Sequence, residues 1–278
     1  MKKLIIIREI KKNLFTNIFS KFANGLSILK GIKKACMSNN RVDIISQLKR
    51  EVLSLEGLKF SAIGLLGNIG LGPIQAAFPN ACFPVGAVHE FLSSGNENSA
   101  ATAGFIAGLL SGLMRNGGAS LWISSSRTLF PPALKAFDIE PDKIIFIDLQ
   151  KEKEVLWAME EALKCDGLAA VVGEIREISF VTSRRLQLAV EQSQVTGFIL
   201  RHDSLNLNTI ASVSRWNITS LPSELEDLPG VGFPRWKVEL LKIRNGKPGS
   251  WNMQWSGGRF EHISPSVISV PQEKRKTG

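Results

Sequence analysis

The chain changes its hydrophobic rhythm several times, and each change marks an element. Val42, Ile45, Leu48, Val52 and Leu55 recur at helical spacing. With Asn40 as a cap and Gly57 as a stop, they predict a helix over 41–56. Residues 58–85 are rich in Gly and Pro with weak periodicity, and they read as a linker that wraps onto the core. From Gly86 the pattern alternates. A short strand is expected at 85–92, a helix rich in Ala, Gly and Leu at 98–115, and a turn at Gly117-Gly118. A buried strand follows at 120–124, a short helix at 131–137 opened by Pro131-Pro132, and a strand at 144–148. Further on come a helix at 152–164 with Val155, Met159, Ala162 and Leu163 inward, an apolar strand at 168–172, a helix at 180–193 and a strand at 197–200. Strands alternating with helices of this length predict an α/β fold with a mainly parallel sheet flanked by helices. The style then switches. Residues 237–243, the turn Asn245-Gly246-Lys247-Pro248-Gly249 and residues 251–255 read as a C-terminal β-hairpin. On this hairpin Trp251 and Trp255 share a face with Met253, expected to be core, while Lys242 and Arg244 share a charged face. Residues 264–278 are polar and end the chain as an expected disordered tail.

Composition changes this picture little, but charge does. The formal net charge of the 278 residues is +9. Residues 1–36 carry nine Lys or Arg and one acid, Glu9, so +8 of it falls there and +1 is left for residues 37–278. A domain that tracks nucleic-acid phosphates usually carries its own basic face, so net charge points away from one here and leaves only a local patch for DNA. Residues 1–36 are therefore set apart as a basic N-terminal extension expected outside the fold, 37–85 as the helix and linker, and 86–263 as the core. The run Leu4-Ile5-Ile6-Ile7 is cut by Arg8, and no stretch is long enough to span a bilayer. Cys36, Cys82 and Cys165 form no CxxC pair, and His89, His202 and His262 are scattered. Reduced thiols, a cytoplasmic setting and no metal site are expected.

The chemistry to look for lies where the first strand of such a sheet meets its helix. There, backbone N–H groups and the helix terminus bind nucleotide phosphates. A working phosphate loop reads GxxxxGK[ST]. This chain has Ser93-Ser94-Gly95-Asn96-Glu97-Asn98-Ser99-Ala100. The lysine is missing, Gly95 is the one glycine left, and Glu97 brings a negative charge. Read by itself, the segment is a plain loop capped by Asn98 or Ser99.

Residues 86–219 resemble the RecA recombinase core, and Lys242-Ile243-Arg244-Asn245-Gly246 resembles the KxRxG segment of DnaB-type helicases. More specifically, GAVHEFL, GASLWISSSRTLFPPAL, SRWNI and WKVELLKIRNGKPGSW make the run from Met37 to about Ile263 similar to the ImuA family. The resemblance implies a RecA-like core whose nucleotide site is degenerate. Ser93 and Asn98 stand at the two phosphate-loop glycines, Ser99 at the phosphate-binding lysine and Ala100 at the magnesium-binding threonine. Ser126 falls at the water-activating glutamate. Glu174 falls near the Walker B aspartate, as the one conservative replacement, and Arg201 at the nucleotide-sensing glutamine. Phosphoryl transfer is mostly positioning and charge stabilisation, so losing lysine, magnesium ligand and base together implies no ATPase activity and no cofactor. The family resemblance implies an accessory factor of SOS-induced translesion DNA synthesis. Its expected partner is an ImuB-type polymerase adaptor, with RecA and an alternative replicative polymerase as further candidates. Lys242 and Arg244 are the candidate partner-binding residues. Two alternatives stay open: a residual nucleotide-binding module, which Lys242 and Arg244 keep alive, and a cell-division inhibitor of the SulA type.

Overall fold

Nine strands hydrogen-bond into one sheet in a computed structural model of the chain, in the order β3-β2-β4-β5-β1-β6-β7-β8-β9. The structure describes residues 69–115, 117–126, 129–204, 208–223 and 232–263. The expected helix at 41–56, the extension at 1–36 and the tail at 264–278 lie outside the described residues. The strands are β1 (Val88–Ser93), β2 (Ala119–Ser124), β3 (Ile144–Asp148), β4 (Leu168–Ile175), β5 (Thr196–His202), β6 (Ser214–Leu221), β7 (Arg235–Ile243), β8 (Gly249–Ser256) and β9 (Arg259–His262). The first six pair in parallel, and β6 through β9 pair antiparallel. This is the expected α/β fold: a mainly parallel sheet flanked by helices, extended by an antiparallel C-terminal part.

Among the described residues, three α-helices cover the sheet: α1 (Gly95–Met114), α2 (Glu152–Leu163) and α3 (Phe180–Ser193). Strand alternation assigns the faces. Phe91 and Trp216 point to α1, where both meet Phe105. A Cβ at Gly173 or Gly197 would instead meet Met159 or Leu163 of α2. Helices α2 and α3 lie side by side, tied by Arg185 to Glu160 at 2.6 Å.

The α1 face is filled by a continuous aromatic layer. Phe91 stacks on Trp216, centroids 5.8 Å apart. Phe105 meets Trp236 and Phe260, and Phe137 meets Trp255. Small residues let α1 approach this layer. A Cβ at Gly108 would lie 2.5 Å from the Phe260 ring, and one at Gly112 2.8 Å from Ile69. Residues 69–85 contribute Ile69, Leu71, Ile74, Phe78 and Phe83 to the buried core.

Several element ends differ from the sequence reading. β1 begins at Val88 rather than Val85. Helix α1 begins at Gly95, three residues before Asn98, so neither Asn98 nor Ser99 caps it. The cap at its first N–H comes from Asp203, far along the chain. The SRWNI segment, given no element in the sequence reading, opens β6 over Ser214–Leu221. β9 is an additional strand, reached through a two-residue Gly257-Gly258 turn with φ of 56° and 72°, the left-handed pair that a tight hairpin needs. A register shift between Arg215 and Trp216 leaves Leu241 as the extra residue of β7 and turns it outward. Met253 and Trp255 are buried as expected, while Trp251 is half-buried.

Candidate functional site

The C-terminal ends of β1, β4 and β5 meet the start of α1, where a parallel α/β sheet opens its ligand crevice. Ser93 ends β1, His202 ends β5, Glu174 lies near the end of β4, and Ser99 sits on α1. The His202 Nδ1 is 2.9 Å from Ser99 Oγ and 3.1 Å from Ser93 Oγ. The two hydroxyls are 3.3 Å apart, and Ser93 Oγ also donates to the Arg201 carbonyl at 3.3 Å. On its other side the ring brings Nε2 to 3.4 Å from Glu174 Oε2, without hydrogen-bond geometry. The buried Glu174 accepts from Trp122 Nε1 at 2.5 Å through its other oxygen.

One residue further on, Asp203 turns back. Its φ is 45°, its N–H donates to the Ser93 carbonyl at 3.0 Å, and its Oδ1 accepts from Gly95 N–H at 2.8 Å. A helix N-terminus attracts anions through its unsatisfied N–H groups. Here the chain supplies that anion itself, as a carboxylate.

The sequence-derived positions therefore separate. Ser93, Ser99 and Glu174 come together around His202. Asn98 acts elsewhere: its Nδ2 donates to the Ser94 carbonyl at 3.1 Å, and its Oδ1 accepts from Ser220 N–H at 3.1 Å. Glu97 also turns to β6, accepting from Ser220 Oγ at 2.5 Å. Ala100 is exposed on α1, and Ser126 is exposed two residues past β2. His202, Asp203 and Trp122 were not singled out from sequence, because the partners of His202 and Asp203 lie more than 100 positions away.

Arg201 points to the opposite face. Fully buried, it meets Glu90 Oε1 at 2.9 Å and Glu177 Oε2 at 3.1 Å and donates to Ser204 Oγ at 2.6 Å. Glu90, also fully buried, takes Arg215 Nε on its second oxygen at 2.7 Å. Such a pair is held by mutual compensation: removing one partner strands the other in a dry interior. Arg201 is thus a structural ion-pair member on the face away from Ser99.

Lys242 and Arg244 stand at the far end of the sheet. β6 begins beside the start of β1, with His89 opposite Ser214, and runs parallel to it, so its last residues meet the start of α1. Lys242 pairs in register with Arg215 near the beginning of β6. Burial pushes its ammonium below the ordinary lysine range, and Arg215 and Arg244 push the same way against Glu90. Its Nζ donates to the Ser212 carbonyl at 3.5 Å.

Comparison with known proteins adds identity to this geometry. No protein-family model matches the chain. Protein ImuA of Caulobacter vibrioides, in two strains, is 35% identical over 200 residues, covering 67% of this chain and 82% of that protein. The chain belongs to the ImuA family. The cell division inhibitor SulA of Photorhabdus laumondii subsp. laumondii is 28% identical over 103 residues, 37% of this chain and 58% of that protein. Among solved structures, the RadB recombinase aligns with a TM-score of 0.47 at 12% identity, covering 65% of this chain and 92% of that one. Two features of this ImuA-family chain bear on its chemistry. Among the described residues no helix is long and apolar enough to cross a membrane. Among them, too, no group of three His, Cys, Asp or Glu side chains is placed to hold a metal ion.

Proposed function

We propose that this chain is a non-hydrolysing accessory factor of SOS-induced, error-prone translesion synthesis that works by binding an ImuB-type polymerase adaptor. Family membership supports the role in damage-induced mutagenesis. The observation that carries the non-catalytic half is the closure of the phosphate-loop position. The Asp203 carboxylate takes the Gly95 N–H, and the His202 ring takes the Ser93 and Ser99 hydroxyls. A nucleotide phosphate would have to displace a carboxylate and an imidazole already seated there, with no lysine at position 99 to compensate its charge. The replaced positions Ser93, Asn98, Ser99, Ala100 and Ser126 lack the lysine, the threonine and the glutamate with which a RecA-type site binds phosphate and magnesium and activates water. Glu174, the one acid kept, is engaged by Trp122. RecA and an alternative replicative polymerase are further partners of the same reading, with the core acting as a scaffold between them in the cytoplasm.

Two measurements test it. Purified protein mixed with ATP and magnesium is expected to show neither turnover nor tight binding; hydrolysis abolished by Glu174→Ala would overturn the non-catalytic reading. Pull-down with an ImuB-type adaptor is expected to retain the protein. Retention by the division GTPase instead would favour a SulA-type inhibitor.

A further inference from the structure

Among the described residues, the antiparallel end of the sheet gathers more cations than acids. Lys242 stands directly across from Arg215, an arrangement of like charges that destabilises a sheet. The Arg215 guanidinium is held in place: Nε meets Glu90 Oε2 at 2.7 Å, and a terminal nitrogen donates to the Asn208 carbonyl at 2.6 Å. Glu90 also serves Arg201, which in turn engages Glu177. Two acids thus balance two arginines, and among the described residues no further acid pairs with Lys242 or Arg244. Glu239, the acid on β7, is taken by Lys237 at 2.8 Å and Asn217 at 2.9 Å. From Leu240 to Ser250 the chain carries Lys242, Arg244 and Lys247 and no Asp or Glu. The turn bearing Lys247 is seated by its N–H on the Ala77 carbonyl at 2.8 Å. Gly246 fits there because a Cβ would lie 2.4 Å from that same oxygen.

We propose that Arg215, Lys242, Arg244 and Lys247 form a docking site for a short acidic segment of a protein partner. The proposal rests on the accessory-factor reading and assigns the chemistry of its contact. Cations kept close together at an energetic cost, on a rigid strand pair and a seated turn, are compensated when carboxylates arrive, and little ordering entropy is then lost. The site is compact, confined to one end of the sheet. A surface that follows a nucleic-acid backbone spreads its basic residues over many phosphates, and residues 37–278 carry a net charge of only +1.

The test uses the full chain and two labelled probes, hexaglutamate and an oligothymidine of equal charge, read by fluorescence anisotropy at low salt. Lys242→Glu with Arg244→Glu is expected to weaken hexaglutamate binding at least about tenfold. An equal charge change at the exposed Lys135 and Lys143 is expected to leave binding within about twofold of the original. The milder pair Arg244→Gln and Lys247→Gln, checked by circular dichroism, is expected to lose part of the affinity, and it decides the matter if the charge reversals disturb folding. Equal losses at both surfaces, or no binding of hexaglutamate, would overturn the proposal. So would a site that takes the oligothymidine and not the peptide. Adaptor capture that is insensitive to the cluster variants would sink the docking site while leaving the accessory role standing; ATP turnover would sink the non-catalytic reading without touching the docking site.

Discussion

His89 and Glu90 are neighbours on β1, fully buried on opposite faces of the sheet, and each is tolerated for a different reason. His89 stacks on Phe83 with centroids 4.4 Å apart. Its nitrogens meet Ser214 Oγ at 2.6 Å and the Pro84 carbonyl at 2.8 Å. Burial lowers its pKa from 6.5 to about 4, against a smaller upward pull from the Pro84 carbonyl. The folded state therefore holds it neutral while the unfolded chain takes up a proton near pH 6.5. This contribution to stability is present in full above about pH 6.5 and is lost as pH falls towards about 4, at most about 3 kcal/mol. Denaturant unfolding between pH 7 and 4.5 is expected to show that decline, and His89→Gln is expected to flatten it while lowering stability at pH 7. An unchanged pH slope in the variant would count against the assignment. Glu90 is stabilised by charge, between Arg201 and Arg215. Glu90→Ala leaves two arginines uncompensated and is expected to cost about 3–5 kcal/mol of unfolding free energy, measured by urea titration at neutral pH. A loss under about 1 kcal/mol would mean that water reaches the arginines.

At the scale of elements, α1 sets two rules against each other. Helix propensity favours Ala over Gly by about 1 kcal/mol in a helix interior. At Gly108 that gain meets the Phe260 ring 2.5 Å from the new Cβ, with Trp255 at 3.1 Å. Both rings are held in the aromatic layer and have little room to retreat. Gly108→Ala is therefore expected to destabilise by about 1–3 kcal/mol, seen as a drop of several degrees in Tm. Ala100, on the exposed side of the same helix, is expected to tolerate substitution. A rise in Tm for Gly108→Ala would show that the layer repacks. The β7–β8 hairpin divides in the same way. Trp255 donates from Nε1 to the Ala136 carbonyl at 2.9 Å and is 4% exposed, so Trp255→Ala is expected to destabilise more than Trp251→Ala, whose ring is half-buried.

On the scale of the whole core, the His202–Ser99 cluster and the cation cluster sit on opposite faces of the sheet and at different levels along the strands. Arg215 is in register with Glu90, three residues and about 10 Å along β1 from Ser93 and on the opposite face of the sheet, and side chains that far apart with no shared partner contribute additively to within about 0.5 kcal/mol. Ser99→Ala with His202→Ala is therefore expected to leave adaptor capture and hexaglutamate binding unchanged, while Arg244→Glu weakens capture in a protein whose circular dichroism is unaltered. Capture lost through the serine and histidine variants, with folding intact, would move the partner face to the crevice and refute the division of labour.

The alternation of strand and helix periods from Gly86 onward determined the architecture. Glu152–Leu163 and Phe180–Ser193 emerged within one residue of their expected bounds, and β3 at its expected limits, because burial of one helix stripe or one apolar strand is written in neighbouring positions. The departure of residues 93–100 from GxxxxGK[ST] was equally legible, since that pattern is local. β9 was legible in principle through Gly257-Gly258, but four residues carry too little periodicity to announce a strand. What fills the crevice at the start of α1 was decided by the tertiary structure alone. His202 and Asp203 reach Ser99 and Gly95 only because parallel pairing sets β5 beside β1. The start of α1 followed from the same contact, because its cap is supplied across the sheet. The pairing of Lys242 with Arg215 likewise depends on a register shift that places Leu241 outward. Interactions between residues a hundred positions apart leave no period in a sequence; they exist once the sheet order brings the strands together.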